Sequence, residues 1–341
     1  MTRLTVEPAA LPPVREDLPP ALRAQLAEAQ ADAARQAAEL WATAPTALRL
    51  IDTETHALKR AVPIEVHIAD GAGEALFHHR INPGRRVKLH NGAVAVHGIT
   101  KQMLAGSPRF ADLADEFERA MGGADTWNIA YNAPFDRQVL ARAWVRAALG
   151  PLPAYLATDA RWWCAMRAWA RFNASWDPAK NRYQYLRLGG DHSSAGDVER
   201  MGKLLFTMAA AHRRTPHEER VFHVVTSIRA VAPYAAVARV HCTAHPGQHW
   251  STDTTATLYD QDFTPIALAA PDAARLGAEI VLAYPKALWP MPHDLHLGPV
   301  RLGRTPGPHR SGTLPAQDRT FGTVFEIRTA AADSTADGNR I

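Results

Sequence analysis

The sequence has few cysteines, no long apolar run and only a small net charge. Each of these absences excludes a class of function. Its two cysteines, Cys164 and Cys242, are too few and too distant for a disulfide framework or a thiolate metal site. No apolar run approaches the ~18 residues that a membrane-spanning helix requires. The formal net charge is only +4, so composition alone identifies no anionic partner. We therefore expect a globular protein without redox chemistry and without a membrane segment.

The first twenty residues also lack the apolar core of a signal peptide. They contain five prolines and no amphipathic period, which excludes a transit sequence as well and makes the cytoplasm the expected compartment. Their composition predicts a disordered leader over residues 1–19. The Ala-, Gln- and Glu-rich stretch that follows predicts an N-terminal helix over residues 20–45.

The rest of the 341 residues predicts two domains, at roughly 150 residues each. Over residues 46–212, hydrophobic periodicity predicts strands at 48–51, 64–69, 75–81 and 126–130, and helices at 109–121, 134–148, 159–173 and 195–211. Strands followed by alternating helices are typical of an α/β fold with a mixed sheet flanked by helices.

Residues 213–330 differ from the first domain in pattern. Short apolar alternations predict strands at 221–228, 236–241, 255–259, 279–284 and 323–327. We therefore expect a smaller, mainly β accessory domain, followed by a loose tail over residues 331–341. The run HCTAHPGQH brings His241, Cys242, His245 and His249 close together, but without a second ligand cluster it is not interpreted as a zinc site.

The segment LRLIDTETH carries the first acidic pair. Asp52 and Glu54 lie two residues apart at the end of an apolar strand, so their side chains project to the same side. For this pair alone, a solvated acidic turn is an equally good interpretation.

Two further acidic residues lie at the starts of helices. Asp136 follows the strand in AYNAPFDRQVL, and Asp197 opens the helix in GGDHSSAGDVERMGKLL, five residues after His192. Each alone is also explained by capping or by the helix dipole. Four carboxylates gathered in one place would repel one another and raise their own pKa values unless cations lay among them. Because oxygen ligands suit Mg²⁺ or Mn²⁺, the set predicts a two-metal site.

The order DxE, NxxFD and HxxxxD resembles the DEDDh 3′–5′ exonuclease superfamily, which includes the proofreading epsilon subunit of bacterial DNA polymerase III and ribonuclease T. The stretches INPGRR (81–86) and VHGITK (96–101) agree with that family. The resemblance covers about residues 47–212 and implies a ribonuclease H-like sheet for the domain at 46–212. It also implies phosphodiester hydrolysis with two Mg²⁺ or Mn²⁺ ions per site.

Residue by residue, the resemblance implies that Asp52, Glu54, Asp136 and Asp197 hold the metal pair and that His192 deprotonates the attacking water. The candidate substrate-binding residues are Thr55, His97, Asn132, Tyr183 and Tyr185. This sequence departs from the family pattern at His56 and Ala57, which follow Thr55, and at Tyr131, which precedes Asn132. These changes leave the choice between DNA and RNA open.

Charge and aromatic residues agree with a nucleic-acid partner. Residues 80–101 contain five basic side chains and no acidic one, and residues 161–190 combine six basic side chains with seven aromatic ones. Such a mixture is typical of surfaces that bind single strands. The spacing of Trp162, Met166 and Trp169 instead predicts a core-facing helix side.

The leading hypothesis is a metal-dependent 3′–5′ exonuclease that releases nucleoside 5′-monophosphates, acting in DNA proofreading or repair, with a DNA or RNA 3′ end as substrate and single strands favoured. One alternative is an exoribonuclease that trims RNA 3′ ends. An alternative of another class is a non-catalytic nucleic-acid or partner-binding module on the same fold. Residues 213–341 carry 13 basic and 12 acidic residues, so we expect no strong phosphate clamp here. The short strands are compatible with a small nucleic-acid-binding barrel or with a protein-interaction module, so we expect this region to select the substrate or to recruit a protein partner.

Overall fold

The computed structural model describes residues 10–189, 193–212, 214–242, 254–284, 293–297 and 301–304. Its helices are α1 (Pro20–Ala42), α2 (Asn91–His97), α3 (Ala114–Met121), α4 (Ala133–Arg146), α5 (Ala154–Ala157), α6 (Ala165–Phe172), α7 (Ser194–Ala210), α8 (Pro216–Val231) and α9 (Ala270–Ala283). Its strands are β1 (Leu48–Thr55), β2 (Pro63–Asp70), β3 (Ala75–Arg80), β4 (Trp127–Ala130), β5 (Trp162–Cys164), β6 (Trp176–Asp177), β7 (Arg182–Tyr183), β8 (Val237–Cys242), β9 (Thr254–Tyr259), β10 (Pro265–Ile266), β11 (His293–His296) and β12 (Arg301–Arg304).

The first sheet has the strand order β3-β2-β1-β4-β5. The strands β1, β2 and β3 pair antiparallel, whereas β4 and β5 run parallel to β1. Antiparallel hairpins can be joined by short turns, while the parallel strands need helical crossovers, which α3, α4 and α5 supply. The predicted ribonuclease H-like mixed sheet flanked by helices is confirmed.

Alternate side chains of β1 face the two layers of helices. Leu48 and Leu50 lie in a core cluster with residues of α1, α6 and α7. Ile51 lies in a second cluster on the other face, together with Phe117 of α3 and Leu140 of α4. The sheet is therefore covered on both sides.

Two local expectations in this region are wrong. The stretch 159–173 is not one helix, because Trp162–Cys164 forms β5 beside β4 before α6 begins. Residues 10–19, predicted as part of a disordered leader, pack on the domain: Leu18 is buried against Leu26 and Ala174. Apolar contacts of Val14 and Leu18 compensate for the ordering of a proline-rich segment. Residues 1–9 lie outside the described residues.

The second sheet confirms a smaller C-terminal sheet domain. Its described strands have the order β10-β9-β8-β11-β12 and pair antiparallel. The predicted strands at 236–241 and 255–259 correspond to β8 and β9. The predicted strand at 323–327 and two histidines of the HCTAHPGQH run, His245 and His249, lie outside the described residues.

Two of the predicted C-terminal strands are helices instead. Residues 221–228 lie in α8, which begins with a capping box between Thr215 and Glu218, and residues 279–283 end α9. In α8, Val221, Val224, Val225 and Ile228 fall at helical spacing and are buried in the C-terminal core. A short apolar run fits either structure locally, and packing against the second sheet selects the helix here.

The C-terminal domain packs directly on the first domain. The guanidinium of Arg229 in α8 donates a hydrogen bond to the carbonyl oxygen of Thr43 and lies 5.6 Å from the Trp41 ring centroid. Phe222 of α8 belongs to the core cluster of α1 and α7, and Ala42 belongs to that of the C-terminal sheet. The two cores therefore share residues at the end of α1.

Among the described helices, none combines the length and the apolar character needed to cross a membrane.

Candidate active site

The strand β1 presents two carboxylates on one face of the first sheet. Asp52 and Glu54 alternate with Thr53 and Thr55, so the acidic side chains face the α7 layer and the threonines face the α4 layer. Across the antiparallel pairing, Asp52 lies opposite His67 and Glu54 lies opposite Glu65. Both carboxylates belong to the second half of the strand itself rather than to a loop after it.

The helix α7 brings a third carboxylate to this face. Asp197 lies in the first turn of α7, which begins with Ser193 accepting a hydrogen bond from the Gly196 backbone nitrogen at 3.1 Å. Asp52, Glu54 and Asp197 each offer a ligand atom, and these atoms all lie within 4.8 Å of one another. Asp197 also pairs with Arg200, at 2.7 Å between Oδ1 and Nη1. The structure thus gathers three of the four predicted metal ligands.

The fourth predicted ligand, Asp136, lies beside this group and is held by Thr53. The Thr53 hydroxyl donates to Asp136 Oδ1 at 2.7 Å, and Asp136 is only 5% exposed. Asp136 is outside the three-residue group, but its charge raises the pKa of both Asp52 and Glu54. Thr53 therefore connects the strand that carries two carboxylates to the helix that carries another.

Burial and mutual repulsion shift the pKa values of these carboxyl groups upward. Burial raises the pKa of Asp52 well above its ordinary value, and the charges of Asp136, Glu54 and Asp197 raise it further. Burial, followed by the charges of Asp197 and Glu65, raises the pKa of Glu54 to about 7. Burial raises the pKa of Asp136 to about 7, against the opposing effect of the Thr53 hydrogen bond.

This donor set fits a divalent cation. Asp52 Oδ2 is buried and has no hydrogen-bond partner among the described residues, so this oxygen is left to bind a ligand. Carboxylate oxygens are the ligands that hard cations prefer, and a cation would remove the repulsion that raises the pKa values. The acidic group can therefore hold a metal ion.

The predicted substrate-binding residues occupy different surroundings. The Thr55 hydroxyl donates to the Ala57 carbonyl oxygen at 3.1 Å, just beyond the carboxylates. His97 is the last residue of α2. Burial lowers the pKa of His97, whereas a hydrogen bond with the Thr55 backbone and the charge of Glu65 raise it. His97 Nε2 is buried without a hydrogen-bond partner among the described residues. Asn132 is exposed at the start of α4. Thr55 and His97 are thus neighbours at the site.

The two predicted tyrosines differ from one another. Tyr183 belongs to β7 rather than to a loop, and its ring packs edge-on against Trp176 with 5.2 Å between the centroids. Tyr185 is 55% exposed. Trp162 and Trp169 do lie against core clusters, but not on one helix side as their spacing predicts, because Trp162 belongs to β5 and Trp169 to α6. His192, predicted to be the general base, lies outside the described residues, between the described Gly189 and Ser193.

A neighbouring set of polar residues on β2, β3 and α7 was not predicted from the sequence. Glu65 accepts hydrogen bonds from Ser194 Oγ at 2.8 Å and from Arg80 Nε at 3.2 Å. The rings of His67 and His78 stack with 4.4 Å between centroids, and burial, followed by the charge of His78, lowers the pKa of His67 to about 4. The strand period of two in PIEVHIAD could have predicted that Glu65 and His67 share one strand face. Their partners could not be predicted in this way, because they depend on the register between β2 and β3.

Comparison with known proteins identifies the first domain. Residues 50–205 match the family model described as "RNase_T: Exonuclease". The chain is similar to exodeoxyribonuclease 10 of Escherichia coli K12, with 34% identity over 95 residues that cover 27% of this chain and 40% of that protein. These residues are therefore similar to the exonuclease family. The predicted resemblance is confirmed for this domain.

Two more similarities were found. The DNA polymerase III subunit epsilon of Pasteurella multocida is 37% identical over 103 residues, which cover 27% of this chain and 39% of that subunit. A crystal structure of E. coli exonuclease I in complex with a dA16 oligonucleotide aligns with a TM-score of 0.40 and 15% identity, covering 62% of this chain and 51% of that one. The chain spans about two-fifths of the length of the two curated relatives named above.

Proposed function

We propose that this protein is a metal-dependent exonuclease that hydrolyses nucleic acid from the 3′ end and releases nucleoside 5′-monophosphates. The observation that carries the proposal is the group of Asp52, Glu54 and Asp197, whose ligand atoms lie within 4.8 Å of one another inside an exonuclease-family domain. These carboxylates come from a strand and a helix that are far apart in sequence, and their mutual repulsion destabilises the folded protein. Their proximity is therefore better explained by a bound cation than by the fold alone.

In this proposal Asp52, Glu54 and Asp197 hold divalent metal, with Asp136 as the fourth carboxylate, and the metal is a pair of Mg²⁺ or Mn²⁺ ions. The buried Oδ2 of Asp52 and the raised pKa values of Asp52, Glu54 and Asp136 support it. Such a pair, when bound, stabilises the attacking and leaving oxygens of an in-line phosphoryl displacement.

The remaining roles fall to residues of this chain. His192 takes a proton from the water whose oxygen attacks the last phosphorus, because imidazole with an ordinary pKa near ~6.5 is largely neutral at pH 7. The bond between that phosphorus and the 3′ oxygen of the preceding nucleotide breaks, and this oxygen leaves with a proton as the new 3′ hydroxyl. Thr55, His97 and Asn132 hold the terminal nucleotide.

We further propose DNA as the substrate, with single strands favoured and proofreading or repair as the role. The names of the relatives, an exodeoxyribonuclease and a DNA polymerase subunit, support DNA over RNA. Tyr183, Tyr185 and the basic residues between 80 and 101 contact the strand upstream of its end. Residues 46–212 form the catalytic domain, and residues 213–330 form an accessory domain that selects the substrate or recruits a protein partner.

The test uses single-stranded DNA and RNA labelled at the 5′ end, incubated with the full-length protein and Mg²⁺, Mn²⁺ or a chelator. A ladder that shortens from the 3′ end, with mononucleotide products and no cleavage in chelator, is expected. Asp52→Asn should nearly abolish cleavage, whereas the control Glu199→Gln, on the exposed side of α7, should not. Cleavage by Asp52→Asn at the normal rate, or release of the labelled 5′ nucleotide first, would refute the proposal, and faster cleavage of RNA would refute the DNA assignment.

A further inference from the structure

A buried hydrogen bond ties the start of α7 to β2 next to the carboxylate group. Ser194 Oγ donates to Glu65 Oε2 at 2.8 Å, with Ser194 0% and Glu65 8% exposed. Ser194 is three residues before Asp197, less than one helical turn, so the two residues move together as parts of one rigid helix. The position of Ser194 on the sheet therefore constrains that of Asp197.

This bond does not serve to begin the helix. The capping hydrogen bond of α7 comes from the neighbouring residue, where Ser193 Oγ accepts from the Gly196 backbone nitrogen. The hydroxyl of Ser194 points instead across to the sheet, where Glu65 receives it. Loss of the Ser194 hydroxyl would leave the cap intact and remove this connection, together with a longer contact of 3.5 Å between the hydroxyl and His78 Nε2.

The acceptor of this hydrogen bond is a carboxylate, and its negative charge is unfavourable beside the other carboxylates. Glu65 lies directly opposite Glu54, and its charge raises the pKa of both Asp52 and Glu54. A buried charge is tolerated where hydrogen bonds compensate it, and Arg80 supplies a second donor to Glu65 at 3.2 Å. A simple packing contact would not require a further negative charge beside a group of carboxylates.

The apolar contacts of α7 do not by themselves fix its rotation. Val198, Met201 and Leu205 are buried in the core cluster that also contains Leu50 of β1. Apolar burial is non-directional, so a small rotation or sliding of the helix costs little of it, whereas a hydrogen bond specifies both distance and direction. The directional contact lies at the end of the helix that carries Asp197.

We propose that Ser194 and Glu65 are positioning residues that hold Asp197 at the distance from Asp52 and Glu54 needed for metal binding. This inference rests on the proposed function, since it assigns a metal-binding purpose to that arrangement. Outer residues that orient ligands typically change metal affinity or activity by about 10–100-fold when they are removed.

The test measures Mn²⁺ binding by calorimetry in the absence of nucleic acid, together with kcat and KM on a short DNA strand. Ser194→Ala and Glu65→Ala should each weaken Mn²⁺ binding and lower kcat by about tenfold or more, with little change in KM. Glu65→Gln keeps an oxygen that can accept the Ser194 hydroxyl, so it should retain more Mn²⁺ affinity than Glu65→Ala. The double variant Ser194→Ala/Glu65→Ala should be scarcely worse than Glu65→Ala alone, because the Ser194 hydroxyl has already lost its Glu65 acceptor in that variant.

The matched control is Thr215→Ala, which removes a hydrogen bond at the start of α8 and leaves the carboxylate group untouched. It should lower thermal stability without changing Mn²⁺ affinity or kcat. If Ser194→Ala binds Mn²⁺ like the wild type, or behaves like Thr215→Ala, the inference is wrong.

If Glu65→Ala does not fold, the Mn²⁺ affinities of Ser194→Ala and Glu65→Gln still test the inference. Failure of the wild type itself to cleave DNA would instead refute the proposed function, and Mn²⁺ binding would still test the positioning role.

Discussion

Replacement of Asp136 by asparagine would remove a buried negative charge and preserve the shape of the site. Asparagine is nearly isosteric with aspartate, and its side-chain oxygen can still accept the hydrogen bond that Thr53 donates at 2.7 Å. The expected result is a metal-free protein that is more stable than the wild type above pH 7, although it should be a poor nuclease.

The magnitude follows from the pKa of Asp136, which burial raises from 3.8 to about 7. Each pH unit corresponds to about 1.4 kcal/mol, so ionising this buried group costs about 4 kcal/mol of stability in full. The folded protein binds the proton more tightly than the unfolded chain, so its stability is greatest below the unfolded pKa and declines as pH rises through the folded pKa. Between about pH 5 and pH 8, this group accounts for about 3 kcal/mol of the decline.

The assay is urea unfolding in the presence of a chelator, at about pH 5 and about pH 8. The wild type should lose several kcal/mol between the two conditions, because the raised pKa values of Asp52 and Glu54 act in the same direction. Asp136→Asn should lose about 3 kcal/mol less. The exposed control Glu199→Gln should show the same decline as the wild type.

The reasoning would be refuted if Asp136→Asn and the wild type lost equal stability between the two pH values. Addition of Mg²⁺ or Mn²⁺ gives a second check. A cation among the carboxylates stabilises their ionised forms, so metal should remove most of the decline in the wild type and less of it in the variant.

Three further predictions concern the proposed base and the contact between the domains. His192→Ala should lower kcat on the order of 10²-fold, and wild-type kcat should fall below about pH 6.5; equal pH profiles for both proteins would contradict the base role. Arg229→Ala should lower the free energy of unfolding by about 2 kcal/mol, measured in urea, because it removes the contacts with Thr43 and Trp41; an unchanged midpoint would contradict their importance. A fragment of residues 1–212 should aggregate in size-exclusion chromatography, because it exposes apolar surface around Ala42; a soluble, fully active fragment would show that the domains are independent.

Several features of the site could be predicted from the sequence. A two-residue spacing on an extended strand places Asp52 and Glu54 on one face whatever the strand pairs with, because the side-chain period of a strand is two. Asp197 precedes a strongly periodic helix, so its place in the first turn follows from local signals. The order of the motifs resembles that of an exonuclease family, which the comparisons confirm for residues 50–205.

The C-terminal region shows where local pattern is insufficient. The run over residues 221–228 contains apolar residues that satisfy both a strand and a helix period, although the capping box of Thr215 and Glu218 was available as a helix signal. Residues 10–19 similarly contain few apolar side chains, yet Val14 and Leu18 find partners on the first domain. Each outcome depends on a surface formed by a distant part of the chain.

The sequence by itself determined which residues carry carboxylates, which of them share a strand face, and which begin helices. Only the tertiary structure decided that Glu54 lies opposite Glu65, that Thr53 holds Asp136 and that Ser194 reaches Glu65 across 129 positions of the chain. Local propensity is set by neighbouring residues, whereas strand register and helix placement are set by contacts between segments far apart. The raised pKa values of the site depend on these contacts between distant segments, because they require burial and the approach of charges that are far apart in sequence.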